Sequence, residues 1–242
     1  MDIKYYDVNG IGRIFRDISH FHQLAFCASV CERIIPNYNI FARESNLETA
    51  PILRESLDTI WSFLSGSNID REQIRELSLN CEDIIPDDED NNYSGFNYEA
   101  QKAAACLSHT LDLCLEPSEA IVKMVIYCVH SSLDIYLQYI IYASLDDDSE
   151  GKEPRNPEVI DTTHILQFRK LYNQYSDPDD YDREHSKKIS AIIKNHCLVL
   201  REIEKENEDL LRLKESPVLT PEILKLLRTS SENDGKSFLN IC

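Results

Sequence analysis

The sequence predicts an all-α protein, a bundle of about eight to nine helices that includes a long C-terminal helix. Only six glycines and nine prolines occur in 242 residues, while helix-favouring Leu, Ile, Glu, Ala and Lys dominate. A hydrophobic content of 42% is enough to close a substantial core. Apolar residues recur at i, i+3, i+4 spacing through most of the chain, interrupted at Pro, Gly and Asp-rich points.

The first helix is expected from about Arg13 to Ile35, where Leu24, Cys27, Ala28, Cys31, Ile34 and Ile35 form a stripe. Pro36 is expected to end it, with a short helix at Tyr38–Glu44 to follow. Ala50–Leu64 comes next and closes at Ser65-Gly66-Ser67, then Ile69–Ile85, closed by Pro86 and the acidic run from Asp87. Tyr98–Leu115 is rich in Ala, which lets neighbouring backbones approach. Ser118–Leu145 is apolar almost all round and reads as the central helix. Its polar residues Lys123, His130, Asp134 and Gln138 share one stripe, so a buried helix with one wet edge is expected rather than a membrane span.

Asp146–Asn156 combines charge, Gly and Pro and reads as a linker before a helix at Pro157–Tyr175. The chain therefore reads as a single helical domain over 1–242, divisible into a core bundle at 13–145 and a C-terminal extension at 157–230. A long helix over Tyr181–Glu215 places Ile189, Ile193, His196, Leu200, Ile203, Asn207 and Leu210 at alternating four and three spacing, a coiled-coil-like seam. Docking of that seam on the same chain is expected, with a monomer or homodimer as the outcome. Thr220-Pro221 starts a final helix to about Thr229.

The net charge of −18 is unevenly spread. Residues 46–153 carry 22 acids against 6 bases, and residues 154–242 carry 16 against 14. Such a surface repels nucleic acid and attracts a basic protein. The start, MDIKYYDVNGIG, lacks the pattern of an export signal, so a cytoplasmic location with reduced cysteines is expected.

No P-loop, GxGxxG or HExxH is present, and no cofactor is expected. His20, His22, Cys27 and Cys31 invite a zinc reading, completed by Cys106 with His109 or Cys128 with His130. Their spacing fits neither ribbon nor finger, and buried thiols in helices are commonly core, so no metal is expected. Arg16 and His22 give an R-x5-H spacing that, with His20, is the leading enzymatic alternative: an RNase-like or metal-dependent site. His130 and Asp134 could relay a proton, but no nucleophile accompanies them. His22, Phe26, Ser29 and Arg33 share a helix face that could form a small-ligand pocket with Asn37 and Tyr38. The structural alternative has Arg33 complementing a helix C-terminus and Asn37 capping its carbonyls.

Phe26-Cys27, Cys31-Glu32-Arg33, Pro36-Asn37-Tyr38 and Phe41 together resemble the opening motif of the bacterial YjaG-like family, a helical domain of unknown function. Leu57-Asp58 with Ile60-Trp61, Glu82 with Ile84-Ile85-Pro86, Ala100–Leu107, Asn156-Pro157-Glu158-Val159 and Gly235-Lys236-Ser237 are similar to later segments of that family. The resemblance spans about residues 20–175 and implies an all-helical cytoplasmic bacterial protein. It supplies no catalytic residue. This chain departs from the family in its long charged helix and the helix at Thr220–Thr229.

The resulting functional expectation is a non-enzymatic, acidic protein-interaction module, such as an immunity protein that binds a basic toxin. Its contact residues are expected among Glu82, Asp83, Asp87, Asp88, Glu89 and Asp90 and among Asp146, Asp147 and Asp148. Neither nucleic acid nor membrane is expected as a partner.

Overall fold

The computed structural model describes residues 2–87, 96–147, 183–237 and 239, leaving aside the side chains of 8–9, 142–147, 183–186 and 188. Among these residues are nine α-helices and no strand. They are α1 (Val8–Phe15), α2 (His20–Glu44), α3 (Ala50–Leu64), α4 (Arg71–Asp83) and α5 (Asn97–Leu115), then α6 (Glu119–Asp147), α7 (Arg183–Lys194), α8 (Cys197–Glu215) and α9 (Pro221–Ser231). The first two residues of the expected linker, Asp146 and Asp147, instead close α6, and the rest of it and the helix at Pro157–Tyr175 lie outside the described residues.

Most helix starts follow local chemistry. Asp7, Ser19, Asp70 and Thr220 each cap a helix by accepting a backbone N–H with their side chains. Pro51 and Pro221 occupy first-turn positions, where a missing N–H costs nothing. Gly66, past the end of α3, takes φ of 94°, a conformation that lets its N–H reach the Phe63 carbonyl at 3.0 Å.

Three expected boundaries are corrected. The first helix, expected over Arg13–Ile35, is broken between Phe15 and His20, where Ser19 caps α2. Pro36 does not end the second helix: it lies inside α2, which continues to Glu44. An interior proline costs a helix about 3 kcal/mol. Continuous burial of α2 opposes that cost, since every residue from His22 to Tyr38 is buried. The long helix expected over Tyr181–Glu215 is instead two, α7 and α8, parted at Asn195-His196. His196 is not a seam residue. It caps α8, its Nδ1 accepting the Leu198 N–H at 3.3 Å.

The central element is α2, not α6. Helices α3, α5, α6, α8 and α9 all pack against it, and α5 lies between α2, α4 and α6. Ala100, Ala103 and Ala104 of α5 are fully buried, so small side chains are what allow that crowding. The stretch Glu119–Ile141 of α6 is long and apolar enough to cross a membrane by length and composition alone. Here most of it is buried in the bundle, and its polar stripe is not simply a wet edge. His130 is 1% exposed and faces α8, while Asp134 bonds Gln138 of its own helix.

The inward face of α8 also differs from the expected seam. Val199, Glu202, Glu206, Asp209 and Leu213 repeat at three and four spacing and are all buried, whereas Leu200 is 54% exposed. Relative to the apolar pattern, the helix is turned by about one residue, roughly 100°. Asn207 then lies at the edge and clamps the N-terminal segment, accepting the Ile3 N–H at 2.7 Å and donating to the Ile3 carbonyl at 3.0 Å.

Replacing Asn207 by Leu leaves both Ile3 backbone groups without these partners. The substitution is expected to lower unfolding free energy by about 1–3 kcal/mol. Urea denaturation measures the loss, and faster amide exchange at Ile3 locates it.

Candidate functional site

Glu32 and Arg33 are adjacent in α2, each is 4% exposed, and successive helical side chains point about 100° apart. Each charge therefore meets a different set of neighbours. Glu32 accepts from Arg54 Nη1 at 2.7 Å and Nη2 at 3.0 Å, and from the Trp61 indole at 2.7 Å. Arg228 of α9 adds a contact at 3.5 Å. Arg54 and Arg228 also share Asp58, at 2.7 and 2.6 Å. Beside this network lies a cleft of about 420 Å³ between α2, α3 and α9, bordered by Pro36, Asn39 and Asp234. Burial alone would push the Arg54 guanidinium down, but bonds to Glu32 and then Asp58 hold it above its usual value.

Arg33 turns toward α8. Its Nε lies 2.9 and 3.0 Å from the two Glu202 oxygens, and its Nη1 reaches Asp209 at 3.2 Å, the Ser29 carbonyl at 3.0 Å and Ser231 Oγ at 3.1 Å. Nη2 lies 2.8 Å from Glu202 Oε1 but makes no directed hydrogen bond. Burial works against this charge too, and Glu202 and Asp209 outweigh it, raising the guanidinium's pKa. A second cavity, about 160 Å³, opens here between Arg33, α8 and α9.

The third buried acid on this face of α8 is Glu206, whose Oε2 lies 3.2 Å from His130 Nε2. The Tyr6 N–H donates to His130 Nδ1 at 3.2 Å, which leaves Nε2 as the donor toward the carboxylate in a neutral ring. Among the described residues Glu206 Oε1 has no hydrogen-bond partner. Burial raises the Glu206 pKa above 4.5, while His130 and Arg33 pull against that shift.

The predicted site residues scatter. Arg16 is exposed and sits 3.7 Å from Glu119. His20 Nε2 bonds the Leu113 carbonyl at 2.5 Å, and His22 Nε2 bonds the Ser216 carbonyl at 2.7 Å. His22 Nδ1 meets Ser19 Oγ, so both of its ring nitrogens are engaged in local structure. Cys31 Sγ lies 3.6 Å from Cys106 Sγ, but neither histidine joins them. Among the described residues no group of three or more His, Cys, Asp or Glu is placed to hold a metal ion. Burial pushes the Cys114 and Cys128 thiols up to about 12. Cys197 is disulfide-bonded, against the expectation of reduced cysteines.

Of the motif, Asn37 does not cap a helix end. Its Nδ2 donates to Ser132 Oγ at 3.4 Å and its Oδ1 accepts from the Ser237 hydroxyl, which ties α2 to α6 and the C-terminal segment. Arg33 likewise serves as a buried ion-pair partner rather than as a helix-end charge. Tyr38 faces away from both cavities and bonds Thr49 and the Ile84 carbonyl at 2.8 and 3.1 Å. Glu82, Asp83 and Asp87 are exposed at the end of α4. Asp146 and Asp147 end α6, and Asp88, Glu89, Asp90 and Asp148 lie outside the described residues. Sequence reasoning missed Glu202, Glu206 and Asp209, although their i, i+4, i+7 spacing marks one helix face.

Residues 12–189 match a family of proteins of unknown function, DUF416, a span that includes the Glu32-Arg33 motif. The chain belongs to the DUF416 family. Its fold is similar to the crystal structure of a DUF416 family protein from Shewanella baltica OS155, with a TM-score of 0.62 and 19% identity. That likeness covers 94% of this DUF416 protein and 96% of the Shewanella chain, so it runs beyond the residues the family matches. No curated protein matches.

Two outcomes test this buried site in the DUF416 chain. Arg33→Met and Glu202→Gln each strand buried charge and are expected to cost about 3–5 kcal/mol, with the double variant far less destabilised than their sum. Chemical denaturation of the four-member cycle measures it. For Glu206, the folded pKa lies above the unfolded value near 4.5, so in that window the native state keeps a proton that the unfolded chain has released. Stability therefore falls as pH rises through the window. Glu206→Gln is expected to flatten that slope in urea midpoints measured from pH 4 upward.

Proposed function

We propose that the protein is a non-enzymatic interaction module of the YjaG-like type, cytoplasmic, whose acidic face engages a basic protein partner such as a toxin that it neutralises. The observation that carries the reading is the outer face of α4 and the turn after it. Glu76, Glu82, Asp83 and Asp87 are exposed there around two uncovered apolar side chains, Leu79 at 58% and Ile85 at 37% exposure. Arg75, the cation beside Leu79, is paired with Glu72 at 3.0 Å, and an apolar contact bordered mainly by acids suits a protein partner: the charges speed encounter and the apolar centre slows release. The balance of 22 acids to 6 bases over residues 46–153 extends the same field.

Capture of partners from the protein's own cells, at low and then high salt, is the test. A basic protein retained at low salt and released at high salt is expected, and the combined variant Glu76→Gln, Glu82→Gln, Asp83→Asn, Asp87→Asn is expected to lose it. Leu79→Ala is expected to raise the off-rate with little change in on-rate. Retention unchanged by the combined variant, or insensitive to salt, would sink the reading.

A further inference from the structure

Three tyrosine rings meet at one place on the surface: Tyr6 of the N-terminal segment, Tyr98 of α5 and Tyr127 of α6. The Tyr6 and Tyr127 rings stand 6.0 Å apart at 65° to one another. Over the other side lies the Lys102 ammonium, 4.6 Å from the centre of the Tyr98 ring and 5.8 Å from that of Tyr127. At both distances a ring face attracts a cation. The rings are held by what surrounds them. The Tyr98 hydroxyl is bonded to Ser131 Oγ, and Tyr6 packs edge-on against Tyr5 at 4.7 Å and His130 at 5.7 Å. The front is open to solvent, since Tyr127 is 47% exposed and Met124, three residues before it, 46%.

The cation already at this place is poorly matched to it. A lysine ammonium carries three N–H donors. Among the described residues no carboxylate or carbonyl pairs with that of Lys102, so ring faces and water are what it meets. A quaternary ammonium brings the same charge, has no N–H to satisfy and presents methyl groups to the rings. Asp134 adds a negative charge nearby: after burial, it is what raises the Tyr6 phenol above its usual value, and its own bonds are to Gln138 and Tyr5. Lys123, one turn before Tyr127, lies against Gly12 of α1. We propose that Tyr6, Tyr98 and Tyr127 form an aromatic cage for a small quaternary ammonium compound of the choline class, which displaces the Lys102 side chain. The compound is free rather than part of a lipid, because the phosphate of a choline lipid would face a stretch with 22 acids and 6 bases.

The test follows tyrosine ring resonances by NMR as choline chloride is titrated into the full chain, with sodium chloride exchanged to hold ionic strength constant. Saturable shifts of Tyr98 and Tyr127 are expected, and the neutral tert-butyl analogue of choline is expected to bind about fivefold or more weakly. Lys102→Gln removes the competitor and is expected to tighten choline binding about threefold or more. Tyr127→Leu is expected to weaken it about fivefold or more, whereas Tyr127→Phe keeps the ring face and is expected to stay within about twofold. No saturable shift, equal affinity for the neutral analogue, unchanged affinity in Lys102→Gln, or equal losses in Tyr127→Leu and Tyr127→Phe would each overturn the proposal. Phosphatidylcholine vesicles are expected not to carry the protein down on centrifugation, and if they do, the assignment to a free compound fails.

Discussion

Three helices of this bundle, α3, α8 and α9, are arranged around two neighbouring opposite charges, Glu32 and Arg33, inside its central helix. Taking either out of water costs several kcal/mol, and only a complete set of partners recovers it. A helix cannot aim two successive side chains at the same neighbour, so the partners must come from different elements. Glu32 draws in α3 through Arg54 and Trp61, and α9 through Arg228. Arg33 draws in α8 through Glu202 and Asp209, and α9 again through Ser231. Helix α9 touches both systems, and its buried Leu224 and Leu227 join the core beside them, so polar and apolar contacts together seat this 11-residue helix on α2. Such pairs add less net stability than apolar packing would, but they penalise any other register of α8 and α9 on α2.

This arrangement also accounts for the uneven charge along the chain. Residues 154–242 carry 16 acids and 14 bases, close to balance, and several of those charges meet one another or α2 inside the fold. Residues 46–153 have few bases, and of these Arg54 is committed to Glu32 and Asp58. The excess acids of α4 therefore remain at the surface, where mutual repulsion is cheap in water and screened by salt. One chain thus holds carboxylates in two settings: ion-paired inside, where they fix geometry, and exposed to solvent on α4.

The sequence made most helices legible because their signals are local. Ala50–Leu64 is found at its expected bounds, since a proline in its first turn and Ser65-Gly66 mark both ends. Signals that depend on distant partners were not legible. Pro36 looks like a stop unless the burial of α2 on every side is known. The true inward face of α8 was hidden for the same reason. A periodicity argument assigns Leu200 to the core and Glu202, Glu206 and Asp209 to solvent, yet Arg33, about 170 residues earlier, and His130 reverse that assignment. The Glu32-Arg33 motif itself was visible, but its role was not, because Arg54, Trp61 and Arg228 are separated from it by as many as 196 positions.

The same contacts bear on what chemistry the buried charges can perform. Glu32 accepts two hydrogen bonds from Arg54 and one from the Trp61 indole, with Arg228 at 3.5 Å, so most of its acceptor capacity is taken up in holding helices together. Glu202 and Asp209 are occupied in the same way by Arg33, Lys205 and Arg212. Glu206 differs, with one oxygen against His130 and the other without a partner among the described residues, but it is fully buried, and among those residues no hydroxyl or thiol bonds its carboxylate or the His130 ring. A general base needs a substrate within reach, and the two cavities are lined by Glu32 and Glu202 rather than by Glu206. The pattern is that of charges committed to position by partners on α3, α8 and α9.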